Sequence, residues 1–357
     1  MKRLAYVSRA TSVLAPGELQ TIATAAQANN RRLDITGVLT YDDGVFFQEL
    51  EGPEAAVDAL ADRIRVDPRH RDMVVISVEN GDLARHHPAW AMRVINLGDE
   101  PDSGYLRPVI ARLSQAIRTV GRYTQPAVFR LLESGIDPTT APARRVQRAV
   151  LCCDVRAFSA FAQALAPDRL AAFITVFVDV CVGCVSARGG EVTKIIGDAV
   201  LAHFPRECSG EALAAALDIL TTLARIRRQA AANAPERYLH VGVGLAAGEV
   251  FEGNVGSGFK LDYTILGDPV NHAARLEALT RTQATALLFE EAFAASLPPE
   301  WSTIAIGRHH LKGRDDQTTI STVDLPIVRE LPSSRLAEEL AWCLDVGPSA
   351  SQSRPKA

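Results

Sequence analysis

Two aspartates in the second half of the chain lie where strands are predicted to end. Asp154 follows the apolar run 148–153, and Asp198 lies in a Gly-Asp pair between two short strand patterns. Such a pair suits a two-residue hairpin turn with glycine at positive φ, although it is also ordinary turn chemistry. If the strands are neighbours in one sheet, both carboxylates meet at its edge. Two carboxylates with open coordination positions suit Mg²⁺ or Mn²⁺ and leave room for phosphate oxygens.

Three further polar residues could contact a nucleotide. Asn271 and Arg275 are spaced i, i+4, so they share one face of a predicted helix. An amide beside a guanidinium suits ribose or phosphate, but a solvated helix face shows the same pattern. Lys312 lies in HHLKGRDD, a predicted turn from which a lysine could reach a triphosphate. By itself it reads as an ordinary surface lysine.

The elements that must position these residues form an α/β pattern over 147–325. Strand and helix signals alternate in this order: a strand at 148–153, a helical region at 158–187 broken near Pro167, a hairpin at 192–204, a helix at 210–232, a strand at 239–245, a turn-rich hairpin at 248–258, a helix opened by Asp268-Pro269, and strands at 303–306 and 318–323. The tail 326–357 holds a possible helix at 336–344 and is expected to be partly disordered.

A second α/β pattern covers residues 1–100. Its strand and helix signals follow the order β-α-β-β-α-β, which predicts a ferredoxin-like sandwich. Residues 101–146 join the two patterns, with an amphipathic helix at 103–120 and a Pro- and Thr-rich connector at 121–146. That helix is long enough to pair with a copy of itself or simply to pack on its own domain. We therefore predict an α+β chain of two ferredoxin-like α/β sandwich domains joined by an amphipathic linker helix.

Composition limits the possible partners. The 357 residues carry a net charge of −4 without a long basic run, so nucleic acid is not an implied partner. The six cysteines lie mostly in apolar surroundings, which indicates a reducing, cytoplasmic location. No uninterrupted apolar run reaches the roughly 18–20 residues of a membrane span, so no membrane partner is expected.

The motifs of the second domain combine into one pattern. Asp154, KIIGD at 194–198, GEVFEGNVG at 248–256, LGDPVNHAARLE at 266–277 and Lys312 together resemble the catalytic domain of class III nucleotidyl cyclases. The resemblance implies a homodimer with active sites at the subunit interface. It also implies that Asp154 and Asp198 of one chain hold two Mg²⁺ or Mn²⁺ ions per active site.

The same resemblance assigns the nucleotide contacts. Lys194 and Thr264 of the other chain would read the base, Asn271 and Arg275 would position the ribose and stabilise the transition state, and Lys312 would bind the triphosphate. Adenine offers an acceptor at N1 and a donor at its 6-amino group, whereas guanine offers the reverse. Because Lys194 donates and Thr264 can accept, the pair fits ATP.

The first domain resembles the BLUF family of flavin photosensors. The segments NNRRLDITGVLTYDDGVFFQELEG at 29–52 and PAWAMRVI at 88–95 carry the resemblance. It implies a bound flavin, FMN or FAD, with Tyr6 as electron donor and Gln48 as the group that rearranges. By position, the residues implied in flavin binding or signalling are Tyr6, Asn30, Gln48, Arg63, Asp67, Trp90 and Met92.

The order of the domains resembles that of light-regulated cyclases. We therefore expect a blue-light-activated adenylyl cyclase that makes cyclic AMP and pyrophosphate from ATP. A guanylyl cyclase, or a light-responsive module that dimerises or binds nucleotide without catalysis, is the alternative. The presence of Asp154, Asp198, Asn271, Arg275 and Lys312 favours an active enzyme.

Overall fold

The chain divides into two units, Met1–Ala141 and Pro142–Ala357. The computed structural model describes residues 1–12, 14, 17–42, 44–97, 106–257, 260–310, 317–332 and 336. Lys312 and the predicted helix at 336–344, apart from Leu336, therefore lie outside the described residues, as do positions 103–105 of the predicted linker helix.

The first unit contains a five-stranded sheet with two helices. Its elements are β1 (Lys2–Ala10), α1 (Glu18–Arg32), β2 (Thr36–Asp42), β3 (Val45–Gly52), α2 (Glu54–Arg65), β4 (His70–Asn80) and β5 (Arg93–Asn96). The strand order is β4-β1-β3-β2-β5, with β5 parallel to β2 and the other pairs antiparallel. The first four strands follow the ferredoxin-like order, which confirms the prediction, and β5 extends the sheet.

Two helices follow this sheet. α3 (Leu106–Tyr123) replaces the helix predicted at 103–120, and α4 (Pro126–Glu133) lies where only a connector was predicted. Pro126 at the helix start and the apolar run after it explain α4. Gly135, at φ 73°, comes just after α4 in the chain and packs against β4. A Cβ at this position would lie 2.8 Å from the side chains of Val75 and Val78.

The second unit is built on an eight-stranded sheet. Its elements are β6 (Arg144–Val155), α5 (Phe158–Ala164), α6 (Pro167–Ala187), β7 (Glu191–Ile196), β8 (Ala199–Pro205), α7 (Ser209–Gln229), β9 (Val241–Ser257), β10 (Lys260–Leu266), α8 (Asp268–Leu279), β11 (Leu287–Glu290), α9 (Glu291–Ala294), β12 (Thr303–His309) and β13 (Thr318–Val323). The order is β12-β13-β11-β9-β6-β8-β7, and β10 pairs with β9. The stretch β9-β6-β8-β7 repeats the ferredoxin-like order of the first unit.

Helices cover both faces of this sheet. α6 and α7 bury their apolar residues with one face, and α8 packs on the other. By length and composition α6 is apolar enough to cross a membrane, but the same test is met by core helices. Phe173, Phe177, Cys181 and Val185 of α6 are fully buried in this domain.

Several elements of the second unit differ from the prediction. Its first strand begins at Arg144 rather than at 148, and β10, β11 and α9 were not anticipated. The strand predicted at 239–245 and the hairpin at 248–258 are one continuous strand, β9, which pairs along its length with β6 and β10. The glycines of this stretch suggested turns, but Gly248 instead admits the ring of Pro269, which would lie 2.9 Å from a Cβ at 248.

Candidate functional sites

Three buried side chains of the first unit, those of Tyr6, Gln48 and Met92, are linked by successive contacts. Tyr6 on β1 and Gln48 on β3 are paired in register, and the Tyr6 hydroxyl donates to Gln48 Oε1. The Gln48 amide nitrogen in turn lies 3.5 Å from Met92 Sδ. All three side chains are buried. Burial, together with the charge of Asp67, raises the pKa of Tyr6 well above its usual value, so the phenol is neutral and donates.

Two amides fix the backbone beside Met92. Asn30 Nδ2 on α1 donates to the carbonyl of Ala91 at 2.8 Å, and Gln27 Nε2 donates to the carbonyl of Met92 at 2.9 Å. Gln27 was not among the predicted site residues. It lies one helical turn before Asn30, so the i, i+3 spacing of two amides on α1 was the signal that could have found it.

A cavity of about 260 Å³ lies between α1, α2 and this sheet. Asn30, Gln48 and Met92 line one part of it, and Arg63 and Asp67 line another. Its walls include apolar side chains of both helices and of β2, namely Ile22, Ala25, Ala26, Leu39, Leu60 and Ile64. An apolar slot with a few convergent amides fits a flat heteroaromatic ring such as a flavin.

Charged residues line the Asp67 side of the cavity. Asp67 forms an ion pair with Arg69, whose Nη2 lies 2.6 Å from Asp67 Oδ2. The hydrogen bonds from Arg69 lower the pKa of Asp67 to about 2, so the carboxylate stays charged. Arg69 and His70 also line the cavity and were missed from sequence. A sequence of Asp67-Pro68-Arg69-His70 after a helix reads only as a polar turn, so no local signal singled them out.

Trp90 lies apart from the cavity in the described structure. Its ring stacks on His87 with centroids 5.2 Å apart, and the guanidinium of Arg93 lies 4.5 Å from its ring centroid. Trp90 is joined to the sheet by its backbone, because Gly37 N donates to its carbonyl at 2.9 Å. Trp90 is one of the predicted flavin residues, but its side chain does not line the cavity, and its connection to the site runs through its backbone.

In the second unit, Asp154 and Asp198 converge as predicted from the strands. Asp154 lies near the end of β6, and Asp198 lies in the two-residue turn between β7 and β8, after Gly197 at φ 63°. The backbone N–H of Val155 donates to the carbonyl of Asp198 at 3.2 Å, which ties the turn to β6. Asp154 Oδ1 is buried and has no hydrogen-bond partner among the described residues.

The electrostatics of this pair favour a bound cation. Burial, the adjoining Asp198 carboxyl and the charge of Glu277 raise the pKa of Asp154 to about 7, while Arg281 opposes the shift. A buried carboxylate with an open oxygen beside a second carboxylate is a donor set that Mg²⁺ or Mn²⁺ would satisfy. The residues present therefore fit the metal implied by the resemblance.

Arg281, Glu277 and Arg156 were missed from sequence. Arg281 Nη2 lies 2.7 Å from Asp154 Oδ2, and Arg156 Nη1 lies 3.2 Å from Glu277 Oε1. Glu277 is the last residue of the LGDPVNHAARLE motif, and Arg281 lies in the turn that follows the end of α8 at Leu279. Nothing in the local sequence indicated that this end of α8 reaches Asp154.

The predicted base-reading residues lie on the β7 and β10 strands. Lys194 Nζ lies 2.6 Å from Asp262 Oδ2. Asp262 precedes Thr264 by two residues on β10, so the side chains of Asp262 and Thr264 point to the same face of that strand. Thr264 is 3% exposed, and its hydroxyl has no hydrogen-bond partner among the described residues. Asp262 was not predicted as part of this group.

Two of the other predicted nucleotide contacts lie on α8, and the third, Lys312, lies outside the described residues. Asn271 is exposed and Arg275 half-buried on the first turns of α8. A separate cavity of about 550 Å³ begins at the same helix and reaches a buried pair, His272 and Glu290, whose Nδ1 and Oε2 lie 2.9 Å apart. Lys312 lies outside the described residues, so its place relative to α8 is still a prediction.

The fold and these two sites define a sensor domain followed by a cyclase domain, and the comparisons agree. The BLUF family, described as sensors of blue light using FAD, matches residues 1–93. The adenylate and guanylate cyclase catalytic domain matches residues 142–322. The chain belongs to the family of proteins that join a BLUF domain to an adenylate and guanylate cyclase catalytic domain.

Particular relatives share this arrangement. A bacterial light-regulated adenylyl cyclase of known structure is 35% identical, with a TM-score of 0.86, and the match covers 96% of this chain and 100% of that one. The photoactivated adenylate cyclase subunit beta of Euglena longa is 28% identical over 298 residues, covering 83% of this chain. The alpha subunit of Euglena gracilis is 29% identical over the same length. These matches cover 35% and 29% of the Euglena proteins, so the chain spans about a third of the length of these curated relatives.

Proposed function

We propose that the chain is a blue-light-activated adenylyl cyclase that converts ATP to 3′,5′-cyclic AMP and pyrophosphate. The observation that carries the catalytic part is the convergence of Asp154 and Asp198, with one buried Asp154 oxygen unpaired among the described residues. The two ions they would hold, Mg²⁺ or Mn²⁺, supply positive charge against the charge that develops on the attacking oxygen and the phosphates. The domain pairing and the relatives support control by light.

The remaining steps fall to side chains of the chain itself. Asn271 would hold the ribose so that its 3′-oxygen faces the α-phosphorus, and Arg275 would stabilise the charge of the transition state. Lys312 would bind the triphosphate as a point charge. Attack of the 3′-oxygen on the α-phosphorus forms the cyclic ester and breaks the bond to the leaving pyrophosphate.

The base-reading group supports ATP as the substrate. Asp262 holds the Lys194 ammonium at 2.6 Å and so fixes a donor that would meet adenine N1. The Thr264 hydroxyl, buried and without a partner among the described residues, would accept from the 6-amino group. Guanine would instead present a donor to the Lys194 ammonium, which can only donate, so Lys194 disfavours GTP. It would also present an acceptor to the Thr264 hydroxyl, which would then have to donate.

We infer that the active enzyme is a homodimer. Four large apolar side chains near the proposed site are 45–61% exposed, namely Ile195, Ile196, Leu261 and Leu266. An exposed apolar surface of this kind suits a partner subunit. Lys194 lies on β7 and contacts Asp262 of β10, whereas Asp198 lies in the turn beyond β7 and its carbonyl accepts from Val155 N–H of β6. These separate surroundings support their serving different sites, with Asp198 contributing to one and Lys194 to the other.

Mixed dimers test this arrangement. Asp198→Ala would abolish both sites of its homodimer, and Lys194→Glu with Thr264→Gly would impair both sites of its own. After subunit exchange half of the dimers are mixed and each has one intact site, so about a quarter of wild-type activity should return. If all these residues served a site within one chain, mixing would restore nothing.

For the sensor, Tyr6, Asn30, Gln48 and Met92 would bind the flavin ring and respond to it. The flavin would absorb blue light and accept an electron when bound. Tyr6, as a buried neutral phenol hydrogen-bonded to Gln48, would donate that electron. The Gln48 amide can exchange its donor and acceptor faces with little movement, which would change its contacts with Tyr6 and Met92.

Other features of the flavin and its setting are also proposals. The charged side of the cavity, with Arg63 and the Asp67–Arg69 pair, would face the ribityl and phosphate part of the cofactor. The description of the matched family favours FAD over FMN. Trp90 would follow the movement of Met92 through the backbone. The bacterial relative supports a cytoplasmic location.

The experiment that tests the function measures cyclic AMP and cyclic GMP with ATP or GTP and Mg²⁺, in darkness and under blue light. We expect cyclic AMP from ATP, with a higher rate in light. Asp198→Ala should lose product formation and keep its flavin spectrum, whereas Asp168→Ala, at an exposed site on α6, should keep both. A rate that ignores light, or a preference for GTP, would contradict the proposal.

A further inference from the structure

The two carboxylate oxygens of Asp154 have different surroundings. Arg281 Nη2 lies 2.7 Å from Oδ2, whereas Oδ1 is buried and has no hydrogen-bond partner among the described residues. A guanidinium on a carboxylate oxygen supplies positive charge at a place where a metal ion could supply it instead. Oδ1 is therefore open to a cation, and Oδ2 already has one.

Two ions shared by Asp154 and Asp198 would need both oxygens of Asp154. If each ion contacts both carboxylates, one ion takes Oδ1 of Asp154 and the other takes Oδ2. The first ion can bind at Oδ1 while Arg281 keeps its contact. The second ion cannot, because the guanidinium occupies its ligand atom and the two positive charges repel each other. Binding of both ions therefore requires Arg281 to leave Asp154.

The position of Arg281 allows its side chain to leave. Arg281 lies in the turn after α8, where its backbone N–H donates to the carbonyl of Ala278 at 3.2 Å. Its side chain is 53% exposed, so the guanidinium can move into water while the backbone stays in place. Partly exposed ion pairs contribute little to stability, so a divalent ion can replace the guanidinium on Asp154.

The neighbouring arginine, Arg156, is held in a different way. Its Nη1 lies 3.2 Å from Glu277 Oε1, its Nη2 donates to the hydroxyl of Thr280, and its side chain is only 8% exposed. Its backbone N–H also donates to the carbonyl of His240 at 2.8 Å. Arg156 therefore stays beside Glu277, and Arg281 is the arginine of this pair that can exchange with a metal ion.

We propose that Arg281 is a positioning residue that controls the binding of the second metal ion. It holds Asp154 Oδ2 in the metal-free protein and in the protein with one ion, and it leaves when the second ion binds. The second ion therefore binds more weakly than it would without this guanidinium. This inference rests on the proposed two-ion site of Asp154 and Asp198.

The test is a Mn²⁺ titration of the full-length protein in darkness, followed by electron paramagnetic resonance. Two Mn²⁺ ions about 3.5–4 Å apart are magnetically coupled, and their spectrum differs from that of a single bound ion. In Arg281→Gln the coupled spectrum should appear at a Mn²⁺ concentration about 1.5- to 5-fold lower than in the wild type. This range corresponds to the contribution of a partly exposed ion pair.

Two further variants make the result specific. Arg281→Lys keeps a positive charge on the same turn, so its titration should shift less than that of Arg281→Gln. The matched control is Arg145→Gln, since Arg145 Nη1 also lies 2.7 Å from a carboxylate, that of Glu249, and its side chain is exposed. It should titrate as the wild type does. Thermal unfolding reports whether each variant is folded, and Glu277 keeps Arg156 as its partner in Arg281→Gln.

The outcomes separate this proposal from the proposed function. A higher Mn²⁺ requirement in folded Arg281→Gln would mean that Arg281 orients Asp154 for both ions, and an equal one would mean that it does not compete; either would overturn the proposal. If the wild type shows no coupled spectrum, or Asp198→Ala retains it, the two-ion site itself is refuted. If Asp198→Ala loses it while Arg281→Gln matches the wild type, only the role of Arg281 is refuted.

Discussion

The Tyr6–Gln48 contact allows a quantitative prediction. Tyr6→Phe removes one hydroxyl from a fully buried ring and leaves Gln48 Oε1, itself on a 5% exposed residue, without that donor. Leaving a buried acceptor unpaired costs about 1–3 kcal/mol, so the free energy of unfolding of the first unit should fall by that amount. The light-induced red shift of the flavin should also disappear, because the proposed electron donor is gone.

The assay is urea unfolding in darkness, followed by flavin fluorescence, together with absorption spectra before and after blue light. Tyr41→Phe is the matched control, since Tyr41 is also buried but, among the described residues, its hydroxyl makes only a long hydrogen bond, accepting from the N–H of Leu14 at 3.4 Å. It should keep the red shift and most of the stability. A double-mutant cycle with Gln48→Leu should give a coupling energy of about 0.5–3 kcal/mol. A full red shift in Tyr6→Phe, or no coupling, would refute this account.

Three other predictions concern the second unit. Because the pKa of Asp154 is raised to about 7, Mn²⁺ binding measured by titration should weaken about tenfold from pH 8 to pH 6, and this dependence should flatten in Asp198→Asn. Lys194→Glu with Thr264→Gly should erode the preference for ATP; an unchanged ratio of ATP to GTP turnover would mean that these residues do not read the base. Burial and the charge of Arg227 lower the pKa of His240 to about 4, so the folded protein favours the neutral imidazole. As the pH falls from 6.5 towards 4, the unfolded chain takes up this proton first, and the free energy of unfolding should decrease by ~3 kcal/mol. His240→Gln should flatten that acid dependence in thermal unfolding.

The features that sequence could predict depend on local patterns. Strand and helix periodicity predicted the ferredoxin-like order of residues 1–100 and the α/β pattern of 147–325, because each element buries one face whatever its neighbours are. The Gly197-Asp198 turn followed from turn chemistry alone, and glycine there has φ 63° as expected. The approach of Asp154 to Asp198 followed from neighbouring strands ending at one edge of the sheet.

The features that sequence could not predict depend on long-range charge pairing. Arg281 contacts Asp154, and Asp262 contacts Lys194, across 127 and 68 residues of chain. A charged side chain on an exposed strand or helix has many possible partners, and local sequence does not choose among them. β9 was misread for a related reason: Gly248 admits Pro269 and Gly244 admits the backbone of Ala273, and both contacts come from α8, a helix elsewhere in the chain.

The β7–β8 hairpin positions two functional groups through its turn. Ile196 pairs with Ala199, so Gly197-Asp198 closes a two-residue turn, and Lys194 pairs with Leu201 in the same register. The turn therefore fixes both the place of Asp198 and the strand face of Lys194, which lies beside Asp262. An extra residue, Thr193, shifts the register only beyond Lys194, where Val192 pairs with Ala202. Since Lys194 and Asp198 are proposed to serve different active sites, the hairpin links the geometry of both sites, and a change in subunit pairing would act on metal and base contacts together.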